Sequence, residues 1–142
     1  QAIKQKIALS TTMLNQTTVN CWLDLLFSHV IQPQLPSNCF VIIDAFPVSQ
    51  ASLAKIVKND QGVHTAQRFE ILINGVECAN GFNELNHAQL QQQRFNQDRS
   101  IRKQLELVLP KDDPDFLKCL NKLPDCSGVA VGLDRLLALA AN

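Results

Sequence analysis

The chain has 142 residues, of which 46% are hydrophobic and 18% charged, a composition that supports a packed core and excludes wholesale disorder. Thirteen Lys and Arg residues balance thirteen Asp and Glu residues, so the basic excess typical of proteins that coat nucleic acid is absent. No apolar run approaches the roughly 20 residues that span a bilayer, and no signal-peptide pattern occurs. We therefore predict a cytoplasmic protein with no membrane partner and a single domain over residues 1–142.

The cysteine pattern argues against both a disulfide framework and a zinc knuckle. Five cysteines are present, an odd number, and no two are spaced as C-x-x-C. We expect reduced and mostly buried thiols at these five positions, namely Cys21, Cys39, Cys78, Cys119 and Cys126.

The first clear element is a helix over residues 19–30, where apolar residues recur at three and four spacing. Thr18 or Asn20 would cap this helix, and Pro33 and Pro36 would end it. A run rich in β-branched residues over 40–44 then predicts a buried strand. Residues 46–55 predict a loop that passes into a short helical turn. Residues 58–65 predict an exposed turn.

A β-hairpin gives the strongest local signal. Residues 67–73 alternate in the strand manner, with three apolar side chains on one face: Phe69, Ile71 and Ile73. Asn74-Gly75 supplies the residues of a two-residue turn. We predict that the returning strand covers 76–80 and that Gly81 ends it.

Helices dominate the second half of the chain. Asn86 would cap a long polar helix over 87–104, whose glutamines we assign to a solvated face: Gln89, Gln91, Gln92 and Gln93. Asp113-Pro114 starts a shorter helix. A loop, a strand and a closely packed apolar helix complete the pattern, over 123–125, 129–131 and 132–141. The strand–helix alternation of a parallel sheet is missing, so the predicted fold class is α+β, an antiparallel sheet flanked by helices.

Two glutamates, Glu77 and Glu84, bracket the end of the returning strand. Gly75 and Gly81 flank the same strand, and glycine in such places often marks the close approach of a ligand or of another backbone. The two carboxylates could hold Mg²⁺ together with phosphates, or they could neutralise a substrate ammonium. Spacing alone leaves ordinary solvated glutamates as an open alternative.

A second constellation joins the last strand to the last helix. Gly128-Val-Ala-Val-Gly132 leads into a helix whose first turn carries Asp134 and Arg135. Asp134 suits the positive end of a helix dipole, whereas an arginine there is unfavourable, which suggests that Arg135 meets an anion such as a nucleotide phosphate. A surface pair between Arg135 and Asp134 is the alternative. Neither a Walker motif nor a G-x-G-x-x-G pattern is present.

These segments resemble class II aminoacyl-tRNA synthetases. Gly128-Val-Ala-Val-Gly-Leu-Asp-Arg135 is similar to motif three of that class. Arg68-Phe-Glu-Ile-Leu-Ile-Asn-Gly-Val-Glu77, followed by Asn80-Gly-Phe-Asn-Glu84, resembles the active-site hairpin of the lysine-specific branch. The resemblance covers roughly residues 19–141. It implies the C-terminal half of a class II catalytic domain, a single partial domain from which motifs one and two are absent.

Two further segments point to one part of that branch. Phe46-Pro-Val-Ser-Gln-Ala-Ser-Leu-Ala54 and Leu123-Pro-Asp-Cys-Ser-Gly-Val-Ala-Val-Gly132 resemble its tRNA-independent members, which modify elongation factor P. Ala130 stands where the tRNA enzymes carry glycine. Its methyl group would reshape the pocket toward a lysine isomer with a displaced amine, as in β-lysine.

The resemblance implies a role for each motif residue. ATP binding would fall to four residues: Glu77, Cys78, Gly132 and Arg135. Glu77 would hold Mg²⁺ on the phosphates and Arg135 would contact the γ-phosphate, so these two are the catalytic candidates. Glu84 would read the substrate amine and is the second candidate metal ligand. The remaining substrate-binding candidates are Asn80, Phe82 and Ala130.

The implied reaction is an ATP-dependent ligation. Lysine or (R)-β-lysine would be activated as an adenylate and transferred to a lysine of elongation factor P. The alternatives are the catalytic C-terminus of a lysyl-tRNA synthetase, with lysine tRNA as acceptor, and a degenerate synthetase-like binding module. We expect a homodimer in the intact enzyme. We also expect no activity from the 142 residues alone, because the arginine of motif two is missing.

Overall fold

The computed structural model describes residues 18–111 and 113–141, so residues 1–17 of the predicted domain lie outside the described part. Within it the chain forms two compact units. The first unit comprises 18–43, 70–80 and 131–141, and the second comprises 44–69 and 81–130 apart from residue 112. The prediction of a single partial domain stays a prediction.

The described residues form four α-helices and seven strands. The helices are α1 Val19–Leu26, α2 Ala88–Gln104, α3 Pro114–Leu120 and α4 Leu133–Ala140. The strands are β1 Phe40–Ile43, β2 Phe46–Pro47, β3 Ile56–Lys58, β4 His64–Ala66, β5 Arg68–Ile73, β6 Val76–Asn83 and β7 Ser127–Val131. One sheet has the order β1-β5-β6-β7, and a smaller sheet has the order β2-β4-β3. The predicted α+β class with antiparallel strands is confirmed.

The predicted hairpin is confirmed in the first unit. Asn74 and Gly75 have φ values of 51° and 75°, the left-handed pair that a two-residue turn matching the strand twist requires. The side-chain oxygen of Asn74 accepts the Asn38 backbone N–H at 2.6 Å, and the Gln32 amide donates to the Gly75 carbonyl at 2.6 Å. These two hydrogen bonds hold the turn from outside the hairpin.

The predicted end of the returning strand at Gly81 is wrong, because β6 continues to Asn83. A Cβ on Gly81 would lie 2.4 Å from the Phe69 ring and 2.7 Å from the Gly128 carbonyl oxygen. Glycine therefore serves close packing inside the second unit rather than termination of the strand.

The strand over 40–44 is present as β1 but is not buried. Its residues alternate between exposed and half-buried, and Phe40 and Ile42 are 74% and 63% exposed. β1 lies at the edge of its sheet, and no described element covers the face that carries these two side chains. An apolar run of this length predicts a strand correctly but does not say which faces are covered.

The helix over 19–30 is confirmed in its position. Thr18, one of the two predicted caps, accepts the Cys21 backbone N–H, and α1 passes into a wider turn over Phe27–Ile31. The helical turn predicted within 46–55 is confirmed as a short 3-10 helix over Val48–Gln50, and the exposed turn predicted within 58–65 is confirmed near Gly62, whose φ is 80°. The sequence analysis missed the short strands of this region, β2 and the paired strands β3 and β4.

The long polar helix is confirmed, but its predicted cap is wrong. His87 caps α2 by accepting the Leu90 backbone N–H through Nδ1, whereas the Asn86 amide donates to the Leu123 carbonyl at 3.4 Å. The assignment of all four glutamines to a solvated face is also wrong. Gln91 is only 1% exposed, because it lies on the side of α2 that packs into the second unit.

The last two helices begin where predicted. Asp113 caps α3 through the Phe116 backbone N–H at 2.9 Å, and Gly132 precedes α4. The close packing expected for α4 is wrong, because Leu133 and Leu137 are each 68% exposed. No described element of the first unit covers this side of the helix, which accounts for the exposure.

The cysteine prediction is confirmed in one respect only. All five thiols are free, but Cys78 alone is buried, and Cys21 and Cys119 are exposed. Cys21 lies on α1, a helix with no buried residue in the described part, so its small side chain stays at the surface. In the same part of the chain, no helix is long and apolar enough to cross a bilayer.

Candidate active site

The first unit brings four predicted ATP-binding residues together. Arg135, on the first turn of α4, donates from Nη1 to the Glu77 backbone carbonyl at 2.6 Å and lies 3.5 Å from the Glu77 carboxylate. The two side chains are 56% and 42% exposed, so solvent screens the pair. An open ion pair of this kind can exchange its partner for a ligand phosphate or a metal ion at small cost.

Cys78 and Gly132 connect β6 to the start of α4. The Gly132 N–H donates to the Cys78 carbonyl at 2.8 Å, and the buried Cys78 thiol points to the Val76 carbonyl at 3.3 Å. Cys78 therefore contributes backbone to the site while its side chain packs inward. The hydrogen bond between Gly132 and Cys78 fixes the start of the helix that carries Arg135.

Gly132 is a glycine that the described fold does not require. Its φ is −80°, which any residue adopts. A Cβ there would meet only ordinary contacts, 3.5 Å to Arg135 and 3.6 Å to the Cys78 carbonyl. Neither backbone strain nor a clash explains the glycine here, so the predicted role of Gly132 against a nucleotide stays a prediction.

Glu70 is a site candidate that the sequence analysis missed. The two-residue turn makes Ile73 and Val76 the closing pair, so Leu72 lies opposite Glu77. Glu70 and Leu72 share one face of β5, and Glu70 therefore lies on the same face of the sheet as Glu77. The two-residue period combined with the Asn-Gly turn is the signal that would have found it.

Glu84 lies in the second unit, where its backbone is held from two sides. It forms an antiparallel bridge with Ala54, and its N–H donates to the Cys126 carbonyl at 3.0 Å. Its carboxylate lies over Gly128, where an added Cβ would come within 2.4 Å of Oε1. Desolvation by burial raises the pKa of Glu84 above its ordinary value of 4.5.

Phe82 and its neighbours form the apolar part of the second unit. Phe82 and Phe46 pack against a small cluster of buried alanines, Ala51, Ala54 and Ala66. The Arg68 guanidinium lies 4.4 Å from the Phe46 ring centre and 6.0 Å from that of Phe82. Phe82 therefore has a packing role whether or not it also lines a substrate pocket.

The other predicted residues are less constrained. Asn80 is half-buried near the end of the first unit's part of β6, and Ala130 is exposed on β7. Among the described residues, no group of three or more His, Cys, Asp and Glu side chains could hold a metal ion. Glu77 and Glu84 fall in different units, so their shared metal role stays a prediction.

A large cavity of the second unit involves none of the predicted site residues. Its volume is about 890 Å³, and it lies between α2 and α3, beside the Phe95–Phe116 ring pair. Arg99 and Arg102, which face it, already donate to the carbonyls of the connecting loop. Both arginines thus have a structural role.

Comparison with known proteins gives the class to which this geometry belongs. Residues 23–142 match the model of the family described as tRNA synthetases class II (D, K and N). The chain belongs to this family. The helix-start arginine, the preceding glycine and the glutamate-bearing hairpin all lie within the segment that this family model matches.

Several curated relatives are more specific. The chain is 46% identical over 119 residues to elongation factor P–(R)-β-lysine ligase of Histophilus somni (strain 2336), covering 83% of this chain and 36% of the relative. It is 44% identical over 136 residues to the ligase of the same name from Salmonella dublin, covering 95% and 41%. The Haemophilus ducreyi ligase is 44% identical over 121 residues, covering 84% and 36%. The chain thus spans about two fifths of the length of these relatives.

Proposed function

We propose that the full-length protein is an ATP-dependent ligase that activates lysine or (R)-β-lysine and transfers it to a lysine of elongation factor P. The single observation that carries this proposal is the 44–46% identity to ligases of that name across the segment that builds the Arg135–Glu77 and Glu84–Gly128 contacts.

The residues of the first unit fit a nucleotide with a metal ion. Arg135 offers a guanidinium that is more than half exposed, held by a hydrogen bond to the Glu77 backbone carbonyl and by a screened ion pair with the Glu77 carboxylate. Arginine is suited to phosphate because its planar fork donates two parallel hydrogen bonds. Glu77, with Glu70 on the same sheet face, would hold Mg²⁺, which prefers a few carboxylates plus phosphate oxygens. When bound, Mg²⁺ would neutralise charge on the phosphates.

The carboxylate of Glu84 fits a cationic amine in the second unit. Within the described residues it has no ion-pair partner, and it is partly desolvated. An ammonium group would restore a partner to this carboxylate and would form a charge-assisted hydrogen bond. Phe82 and Ala130, in the same unit, remain candidates for the lining of the same substrate, and the role of Asn80 in the first unit stays a separate prediction.

The proposed chemistry has two steps. First, the substrate carboxylate attacks the α-phosphorus of ATP, and pyrophosphate leaves with the electrons of the broken P–O bond. Arg135 stabilises the charge that develops on the phosphates. Second, the ε-amine of the acceptor lysine attacks the acyl carbon, AMP leaves, and the amine loses a proton as the amide forms.

The acceptor separates this proposal from its alternatives. A lysyl-tRNA synthetase would acylate lysine tRNA, and a degenerate module would form no adenylate. The Ala130 methyl favours the ligase, because glycine at that position belongs to the tRNA enzymes. Homodimer formation, cytoplasmic localisation and the inactivity of the 142 residues alone all stay predictions.

The test offers ATP and β-lysine to the purified full-length protein, with elongation factor P and lysine tRNA as parallel acceptors. We expect the mass of elongation factor P to rise by one β-lysyl group while tRNA stays uncharged. Efficient tRNA acylation with unmodified elongation factor P would establish the synthetase instead. Absence of lysine-dependent pyrophosphate–ATP exchange would favour the binding module.

A further inference from the structure

The position of the Glu84 carboxylate depends on a residue with no side chain. The bridge to Ala54 and the hydrogen bond to the Cys126 carbonyl fix the Glu84 backbone, so only its side-chain torsions remain free. Those torsions carry the side chain across the Cα of Gly128. An added Cβ at Gly128 would lie 2.4 Å from Oε1, 3.4 Å from Cδ and 3.8 Å from Cγ.

Backbone conformation does not explain this glycine. The positive-φ glycines of the described chain are Gly62 and Gly75, and Gly128 is not among them. The atoms that a methyl group would meet belong to the end of a flexible side chain. Alanine at position 128 would therefore displace the carboxylate, whereas the fold could stay unchanged.

Gly81 shows the contrast within the same unit. Its added Cβ would meet the Phe69 ring at 2.4 Å and the backbone oxygen of Gly128 at 2.7 Å. Neither a packed ring nor a backbone carbonyl moves as freely as a carboxylate. Gly81 thus serves packing, whereas Gly128 leaves room for the carboxylate of one residue.

We propose that Gly128 is a positioning residue, and that the space left by its missing side chain sets where the Glu84 carboxylate meets the ammonium group of the substrate. This inference rests on the proposed function, in which Glu84 reads that ammonium. It adds a specificity determinant on β7 that acts only through Glu84 and leaves nucleotide binding unaffected.

The experiment measures KM and kcat of the full-length protein for β-lysine and for ATP by pyrophosphate exchange. Gly128→Ala should raise the KM for β-lysine about tenfold and leave the KM for ATP and the kcat within about threefold. Ser127→Ala, an exposed neighbour on the same strand, is the matched control and should change neither. In the Glu84→Asp background the shorter side chain avoids the new methyl group. Adding Gly128→Ala there should therefore raise the KM for β-lysine much less than it does in the wild-type background.

Structural and functional failure can be told apart. An unchanged KM for β-lysine in Gly128→Ala would overturn the proposal. If Glu84→Gln itself left that KM unchanged, the assigned role of Glu84 would fail instead. If Gly128→Ala fails to fold, the double variant with Glu84→Ala should fold, because the side chain that the methyl group meets is then removed. A double variant that also fails to fold would show that the clash is not with Glu84 and would overturn the proposal.

Discussion

The two units treat their acidic groups in opposite ways. In the first unit, Glu77 is half exposed and paired with Arg135, and the glycine beside the pair is not needed for packing. In the second unit, Glu84 is partly desolvated, lies over Gly128 and has no ion-pair partner among the described residues. An open, screened pair suits a large charged ligand, whereas a single desolvated carboxylate suits one small cation.

The largest expected effect concerns the exposed ion pair of the first unit. Arg135→Ala in the full-length protein should lower lysine-dependent pyrophosphate–ATP exchange about 10²- to 10³-fold, because one positioned donor to a developing charge contributes this much. Stability should change by less than about 1 kcal/mol, because the pair with Glu77 is exposed. Arg135→Lys should not restore the rate, since it lacks the planar fork.

A second surface ion pair provides the control for Arg135. Lys118 and Asp115 lie 2.9 Å apart on α3, and both are well exposed. Lys118→Ala should change neither stability nor exchange. Activity of Arg135→Ala within threefold of wild type would remove the arginine from the site.

Substitution of Glu84 tests the partly desolvated carboxylate of the second unit. Glu84→Gln keeps the shape but removes the charge, and a hydrogen bond to a charged group contributes roughly 1.5–3 kcal/mol, so the KM for β-lysine should rise about 10- to 100-fold. The KM for ATP should stay unchanged. Equal effects on both substrates would break the contrast between the two units.

The same substitution has a pH signature. Burial raises the folded pKa of Glu84, so the protonated form stabilises the fold. That stabilisation is full below the unfolded pKa and is lost as the pH rises through the folded pKa. Urea unfolding at pH 4 and pH 7 should therefore show a smaller loss of stability with rising pH in Glu84→Gln than in wild type.

A pair of glycine substitutions sharpens the comparison. Gly81→Ala should destabilise the protein by about 1–3 kcal/mol, because its methyl group meets a ring and a backbone oxygen. Gly132→Ala should cost less than about 1 kcal/mol, since the fold leaves room there, and should instead raise the KM for ATP. Thermal unfolding and ATP titration of both variants separate a glycine needed for packing from a glycine needed for ATP binding. A destabilised Gly132→Ala together with a stable Gly81→Ala that binds ATP weakly would refute both assignments.

The smallest expected effect concerns Gln91. Its side-chain oxygen is buried and has no hydrogen-bond partner among the described residues. Gln91→Leu should raise the free energy of unfolding by about 1 kcal/mol, because an unsatisfied buried polar group is replaced by an apolar one of similar size. The exposed Gln93→Leu serves as control in urea unfolding. A destabilised Gln91→Leu would mean that the amide is satisfied by water.

The elements that depend on a few neighbouring residues could be predicted from the sequence. Alternation, the Asn-Gly turn and the Asp113-Pro114 start predicted their elements because each depends on a few neighbouring residues. The extension of β6 through Gly81 could not be predicted, since the Phe69 ring that requires the glycine lies on another strand. The burial of Gln91 and the exposure of Phe40 likewise depend on distant packing.

The site shows the same division. Motif residues such as Glu77, Gly132 and Arg135 were predicted because their segments resemble the motifs of class II synthetases. The positions of Glu70 and Gly128 follow only from strand register and from side-chain contact across strands. Their roles needed the fold.

The strand order β1-β5-β6-β7 has a consequence for how fast different parts of the backbone exchange with solvent. β5 and β6 are the inner strands, so their amides should be the last to exchange with solvent deuterium. The exposed helix α4 has fewer buried contacts and should exchange earlier. Glu77 would then belong to the slowest part of the unit and Arg135 to a faster one. The backbone that carries Glu77 is then held more firmly than the backbone that carries Arg135, and the difference in amide exchange rate between β6 and α4 measures how much more readily the helix with the arginine opens.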